Sequence, residues 1–174
     1  MKKIEVLNQL REVQVLQHGL FTLKSGQQSN LYIDLRRLVS FPQLLKNVAE
    51  LMWNQMKDLH SDFICGIPYN GILISTSISI SYNRPQLLVR KERKDYGTKK
   101  QVEGVYTQGQ SVLLIEDVIT TGRSVRDTCQ ILREEGLIVN QVICFVLRED
   151  IAREKLQANN CQLHSVFNLQ DMQL

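Results

Sequence analysis

Residues 3–17 place apolar side chains at Ile4, Leu7, Leu10 and Val13, with others at Val6, Val15 and Leu16. That spacing predicts a helix, and Gly19 is the expected stop. The segments FTL and LYIDL flank KSGQQSN, which predicts two strands joined by a hairpin or tight loop. Pro42 suits a first helical turn and opens a predicted helix to about residue 57, apolar at Leu44, Leu45, Val48, Leu51 and Met52. DFICGIP predicts a short buried strand ending in a turn. GILISTSISIS reads as a small-residue helix, although its alternation also fits a strand. QLLVR predicts a further strand. SVLLIE, a helix from Ser124 to about Glu135 and VICFVL make a strand-helix-strand unit, with Gly136 stopping the helix. A short helix at 150–158 and a strand at LHSVF complete the pattern.

Strands that are unbroken apolar runs, alternating with helices, predict an α/β fold: a parallel sheet covered by helices on both faces. Ligands of such sheets bind beyond the carboxyl ends of the strands. Three strand ends carry unusual chemistry: IPYNG, VRKERKDYG and IEDVITTGRS. With no internal repeat or linker, residues 1–174 are expected to form a single domain, the first forty contributing a small hood over the sheet.

The chain has 174 residues, 43% hydrophobic and 22% charged, values of a soluble globular protein with a sizeable core. Its apolar runs fall short of a membrane span and MKKIEVLNQLREV lacks a signal peptide's apolar core, so a cytoplasmic location and no membrane partner are expected. Cys65, Cys129, Cys144 and Cys161 show no CxxC spacing and are expected as buried reduced thiols. His18, His60 and His164 are scattered and suggest no metal site or catalytic dyad. The net charge is +3, yet residues 90–100, RKERKDYGTKK, hold six basic and two acidic side chains, leaving the remainder close to neutral. Such a cluster suits a nucleic-acid patch, a solvated face or a lid over an anionic small molecule.

The stretch LLIEDVITTGRS, residues 113–124, joins an apolar strand to two acids and a hydroxyl-rich turn. Thr120, Thr121 and Ser124 supply donors, Gly122 permits a tight turn, and the following helix aims its free N–H groups at the loop. That is a phosphate cradle, although Thr and Ser could equally cap the helix. Neither the Walker A pattern nor GxGxxG is present, which disfavours nucleoside triphosphates and dinucleotides. Glu116 and Asp117 would repel a phosphate that faced them. Beside one, they can accept hydrogen bonds from sugar hydroxyls or hold a hydrated Mg²⁺. Acids next to a phosphate cradle spell a sugar phosphate.

This string resembles the phosphoribosyl-diphosphate signature of the type I phosphoribosyltransferases. LKSGQQSNLYIDLR, CGIPYNG, RKERKDYGTKKQVEG, GLIVNQVICFVLRE and LQANNCQLHSVF occur in an order and spacing similar to the orotate phosphoribosyltransferase family, most of all to its domain in UMP synthase. The resemblance covers nearly the whole chain. It implies a type I phosphoribosyltransferase-like parallel sheet flanked by helices, with an N-terminal hood. It also implies transfer of ribose 5-phosphate from phosphoribosyl diphosphate to orotate, with Mg²⁺, in UMP biosynthesis.

Carried onto this chain, the resemblance makes Glu116, Asp117, Val118, Ile119, Thr120, Thr121, Gly122, Arg123 and Ser124 the ribose 5-phosphate segment, with Thr120 also near orotate. Lys24 touches the donor. Tyr32 and Ile33 wall the pyrimidine, Ile33 standing where aromatics are common. Tyr69 and Asn70 belong to a diphosphate loop, Asn70 replacing the lysine of some relatives. Arg148 binds orotate, whose carboxylate suits a guanidinium fork. Arg90, Lys91 and Lys94 close over the diphosphate, partly from the neighbouring subunit of a homodimer that shares loop 90–104. Tyr96 replaces a frequent histidine, and a phenol does not readily protonate at neutral pH. Gly97 and Gly104 bracket the lid.

The implied catalytic residues are Lys91, Lys94 and Asp117. Mg²⁺ is expected to be held mainly by the diphosphate and water rather than by a dedicated protein cage. An orotidylate decarboxylase is a candidate partner. A purine or uracil phosphoribosyltransferase is the nearest alternative, and a non-catalytic nucleic-acid-binding regulator is the alternative of another class. Lys24, the KDYG segment and Arg148 argue for the orotate enzyme and for no nucleic-acid partner.

Overall fold

The computed structural model describes residues 2–22, 28–92 and 101–172. The chain runs through α1 (Lys3–Glu12), β1 (Leu16–Thr22), β2 (Gln28–Ile33), a short 3-10 helix (Leu35–Ser40), α2 (Pro42–Met56), β3 (Phe63–Gly66) and α3 (Asn70–Tyr82). It continues through β4 (Gln86–Val89), β5 (Val102–Glu103), β6 (Ser111–Ile119), α4 (Arg123–Glu134), β7 (Ile138–Leu147), α5 (Ile151–Gln157), β8 (Gln162–Asn168) and a closing 3-10 turn (Leu169–Met172). β1 and β2 pair antiparallel in a sheet of their own. The larger sheet has the order β5-β4-β3-β6-β7-β8, all parallel except the short edge strand β5. The expected α/β sheet is therefore present, with its longest strands, β6 and β7, side by side.

Three elements differ from the expectations. The first helix ends at Glu12 instead of continuing to residue 17, and Gly19 lies inside β1. Gln14 adopts the left-handed conformation, φ 56°, while Val15 N–H donates to Leu10 O at 2.8 Å and Gln14 N–H to Arg11 O at 2.9 Å. This is the paired closure usually built on glycine. A glutamine performs it here, so the composition hides the stop. β6 also runs on to Ile119, which places Glu116 and Asp117 within the strand instead of at its end. The two-residue strand β5 was too short for a pattern to reveal.

Side-chain alternation along β6 divides the core. Leu113 and Ile115 face a cluster with Val48, Met52, Ile74 and Ile78 of α2 and α3, together with Val6 and Leu10 of α1. Val112 and Leu114 face the opposite cluster, with Val125, Cys129 and Leu132 of α4 and Ala152 and Leu156 of α5. The five residues from Val112 to Glu116 are all buried, as expected of a strand covered on both faces. All four cysteines are buried and free.

α3 sits unusually close to the sheet. A Cβ built on Gly71 would meet Ile115 O at 2.4 Å, and one on Gly66 would meet Gly71 O at 2.2 Å. The first turn of α3 thus rests on the backbone of β3 and β6 immediately before the acidic pair. Gly71→Ala is expected to destabilise the fold by about 3 kcal/mol, since the obstructing atoms are backbone and cannot rotate away. A urea melt with an unchanged midpoint would show that the contact is not tight.

Candidate functional site

Period-two alternation sends Glu116 and Asp117 to opposite faces of the sheet. Glu116 shares the α4 side with Val112 and Leu114, and Asp117 shares the α3 side with Leu113 and Ile115. Each acid accordingly meets the start of a different helix. The Ser124 hydroxyl, in the first turn of α4, donates to Glu116 Oε2 at 2.9 Å. The Asn70 amide, at the first position of α3, donates to Asp117 Oδ2 at 2.8 Å. Asp117 N–H donates to Glu116 Oε1 at 3.1 Å, and Val118 N–H donates to Asp117 Oδ1 at 2.7 Å.

These side chains open on a cavity of about 380 Å³. Ile33, Asp34 and Arg36 line it from the N-terminal segment, Tyr69 and Asn70 from the start of α3, and Glu116, Asp117 and Val118 from β6. A second cavity of about 200 Å³ shares Pro68 and Ser124 with the first and adds Arg90 and Lys91. Lys91 Nζ lies 5.2 Å from the centre of the Tyr69 ring, and Arg90 Nε donates to Glu103 Oε1 at 2.7 Å. Together the cavities join the carboxyl ends of β3, β4 and β6, the location general to parallel sheets.

The loop after β6 keeps its hydroxyls away from helix capping. Gly122, φ 74°, precedes α4, and no side chain caps that helix. Ser124 bonds Glu116 instead, so the first N–H groups of α4 have no side-chain partner of the capping kind. The helix-capping reading of TTGRS is not the one adopted. A Cβ on Gly122 would lie 3.0 Å from Leu156 Cγ, so α5 forms the floor of the loop. Thr121 and Arg123 are exposed, Thr120 is half-buried, and the Ile119 side chain is packed in the core.

The remaining expected residues fall in two groups. Tyr32 stacks on Phe21 with ring centres 5.3 Å apart, and its hydroxyl accepts from Arg36 Nη2 at 3.1 Å. Arg148 follows β7, where its Nη2 donates to Ser29 Oγ at 3.2 Å and its N–H to Ile119 O at 2.8 Å. Burial pulls its guanidinium below the usual arginine value, without removing its charge. Tyr32 and Arg148 thus border the hood side but do not line the 380 Å³ cavity. Lys24, Lys94, Tyr96 and Gly97 lie outside the described residues. The sequence reading missed Asp34 and Arg36, which pair at 2.6 Å at the cavity rim. LYIDLR was read only as strand and wall, and the 3-10 turn that brings its last residues to the site leaves no periodic mark.

The phosphoribosyl transferase domain family matches residues 35–171 of this chain. Orotate phosphoribosyltransferase of Methanocaldococcus jannaschii is 39% identical over 172 residues, covering 99% of this chain and 97% of that protein. The chain belongs to the orotate phosphoribosyltransferase family. Uridine 5'-monophosphate synthase of Bos taurus is 41% identical over 162 residues, 92% of this phosphoribosyltransferase chain and 34% of that protein. The chain therefore spans about a third of that relative. Among solved structures, orotate phosphoribosyltransferase from Aeropyrum pernix superposes with TM-score 0.85 at 30% identity, covering 96% of this chain and 95% of that one.

Burial first, and then repulsion from Asp117, hold the Glu116 carboxyl of this phosphoribosyltransferase well above the ordinary value of 4.5. The folded state thus keeps a proton that the unfolded chain releases. Glu116 subtracts nothing below the unfolded value, and subtracts progressively more stability as pH rises from there towards its folded value. Glu116→Gln cannot ionise; its amide oxygen can still accept from Asp117 N–H, and its NH2 can donate to the Ser124 hydroxyl with that bond reversed. Its stability relative to the parent is expected to grow above pH 4.5, by up to about 1.4 kcal/mol per pH unit. Denaturant melts from pH 4 upward give the answer; a constant difference at every pH would show that Glu116 ionises freely.

Proposed function

We propose that this chain transfers ribose 5-phosphate from phosphoribosyl diphosphate to orotate, releasing diphosphate and forming orotidine 5'-monophosphate for pyrimidine synthesis. The observation that carries the reading is convergence: Asp117, Ser124 and the turn at Tyr69 and Asn70 meet around adjoining cavities that Arg90 and Lys91 also border. Acid for sugar hydroxyls, cradle for phosphate and cations for diphosphate are what the donor requires. Arg148, half-buried with a neutral serine as its hydrogen-bond partner, suits the carboxylate of orotate.

Positive character builds on the ribose ring as diphosphate leaves C1, as in glycoside cleavage. Asp117 lies on the sugar side and its charge favours that centre. Glu116, whose ionisation is disfavoured by burial and then by Asp117, borders the same cavity beside it. Arg90, Lys91 and Lys94 neutralise the departing diphosphate, and Tyr69 and Asn70 contact it where α3 begins. Val118, Thr120, Thr121, Gly122, Arg123 and Ser124 bind the 5-phosphate, and Ile33 with Tyr32 borders the base. Lys24 completes the donor contacts.

Mg²⁺ fits this donor set in one way. No group of three or more potential protein ligands occurs among the described residues, and the Asp117 carboxylate is at hand in the cavity. Ligand oxygens and water would supply the remaining positions, the ion's usual arrangement. When bound, it spreads the charge of the diphosphate.

A homodimer sharing loop 90–104 and a cytoplasmic location belong to the same proposal, with an orotidylate decarboxylase as candidate partner. No helix among the described residues is long and apolar enough to cross a membrane.

Incubation with phosphoribosyl diphosphate, Mg²⁺ and a panel of bases, with products identified by mass, is expected to show conversion of orotate, while adenine, guanine and hypoxanthine remain inert. Faster turnover of any purine would overturn the base assignment. Sharing of the lid has its own check. Asp117→Asn is expected to lower activity roughly 10²-fold, and Lys94→Ala to inactivate the neighbouring site. Dissociating and reassembling the two variants together should restore activity, because one mixed site then combines an intact Asp117 with an intact lid. A confirmed heterodimer as inactive as its parents would show that Lys94 does not serve the neighbouring subunit.

A further inference from the structure

Asn70 and Asp117 belong to different structural units, 47 positions apart, yet their side chains meet at 2.8 Å on the wall of the larger cavity. We propose that Asn70 is a positioning residue for the reaction, acting through Asp117 by fixing the plane of its carboxylate. This rests on the transfer reaction proposed above, in which Asp117 faces the ribose ring. Nothing in the role of a diphosphate loop requires its asparagine to reach across to the acid on β6.

Two bonds define the carboxylate. Oδ1 accepts from Val118 N–H at 2.7 Å, and Oδ2 accepts from Asn70 at 2.8 Å. The first comes from the next residue of the same strand and moves with it. Among the described residues, only the second ties the carboxylate to another element. Its origin is rigid, because Asn70 immediately precedes Gly71, whose missing Cβ lets α3 rest against Ile115 O. The backbone on both sides of the Asn70–Asp117 bond is thus fixed by the same glycine contact.

The donor's chemistry matters as much as its position. An amide satisfies an oxygen without adding charge, so the negative field that Asp117 offers a cationic sugar ring is kept. A lysine reaching the same oxygen would neutralise it. The neighbouring ionisable groups are Glu116 on the same strand, Asp34 and Arg36 across the cavity, and Tyr69 with Lys91 stacked on it. Among these, Arg36 is engaged by Asp34 at 2.6 Å. The neutral Asn70 therefore holds the acid in place while leaving its charge for the substrate.

A donor that aligns a charge for the transition state affects kcat more than KM. Asn70→Ala, and Asn70→Ser as a second variant with a short polar side chain, are expected to lower kcat by about tenfold, while loss of the diphosphate contact raises the KM for phosphoribosyl diphosphate by no more than about threefold. Asn70→Gln should recover part of the loss by returning the amide. In an Asp117→Asn background, where no charge remains to be aligned, Asn70→Ala should cost less than about threefold further. Thermal melts confirm that each variant is folded. A raised KM with unchanged kcat would overturn the proposal, assigning Asn70 to substrate contact alone, as would a full second tenfold loss in the Asp117→Asn background. The parent protein's activity on orotate is the reference. Its absence would defeat the transfer reaction itself, whereas its presence with either of the overturning results defeats only the role of Asn70.

Discussion

The pleat of one strand governs this molecule. Because neighbouring side chains on β6 leave the sheet on opposite sides, two consecutive acids that border one cavity are held from different helices. Glu116 is delivered to the α4 side and Asp117 to the α3 side, and each finds a polar group at the beginning of the helix it meets. The same alternation, two and four residues earlier, divides the apolar core into its two halves. Core and site are thus set by one periodicity.

Divergence of the acids also separates their electrostatics. Glu116 is 5% exposed, with both oxygens accepting hydrogen bonds, and burial favours its neutral form. It links the end of β6 to the loop that opens α4. Both acids border the cavity, but Asp117 is less buried and is oriented from the other helix. Burial and repulsion both raise the Glu116 carboxyl, so that the charge of two adjacent acids is carried less by the buried one than by its open neighbour.

Much of this was legible beforehand because period and composition carry it. The apolar runs of β6 and β7, the proline opening α2 and the string from Leu113 to Ser124 were each readable from residue types alone. What escaped reading depends on geometry that residue types do not encode. Gln14 performs a turn normally given to glycine, so the boundary of α1 was invisible. Asp34 and Arg36 reach the cavity through a 3-10 turn after β2, and no apolar period announces that approach. The Asn70–Asp117 bond joins segments whose proximity follows from the strand order β4-β3-β6, a crossover that local pattern does not specify. Arg148 was identified correctly as a residue following β7, while its serine partner on β2 required the three-dimensional placement of the hood.

Leu156 lies far along the chain from the acids and has no polar chemistry, yet its branched end fills the space beneath Gly122. The loop that would grip a phosphate therefore has no independent foundation: its underside is a methyl surface of α5. Shape in that hydrophobic layer is transmitted directly to the spacing of the N–H groups above it. Evolution of α5 is consequently bound to the grip of the loop, and an apolar substitution there that leaves the hydrophobic volume of the core unchanged can still alter how well an anion is held.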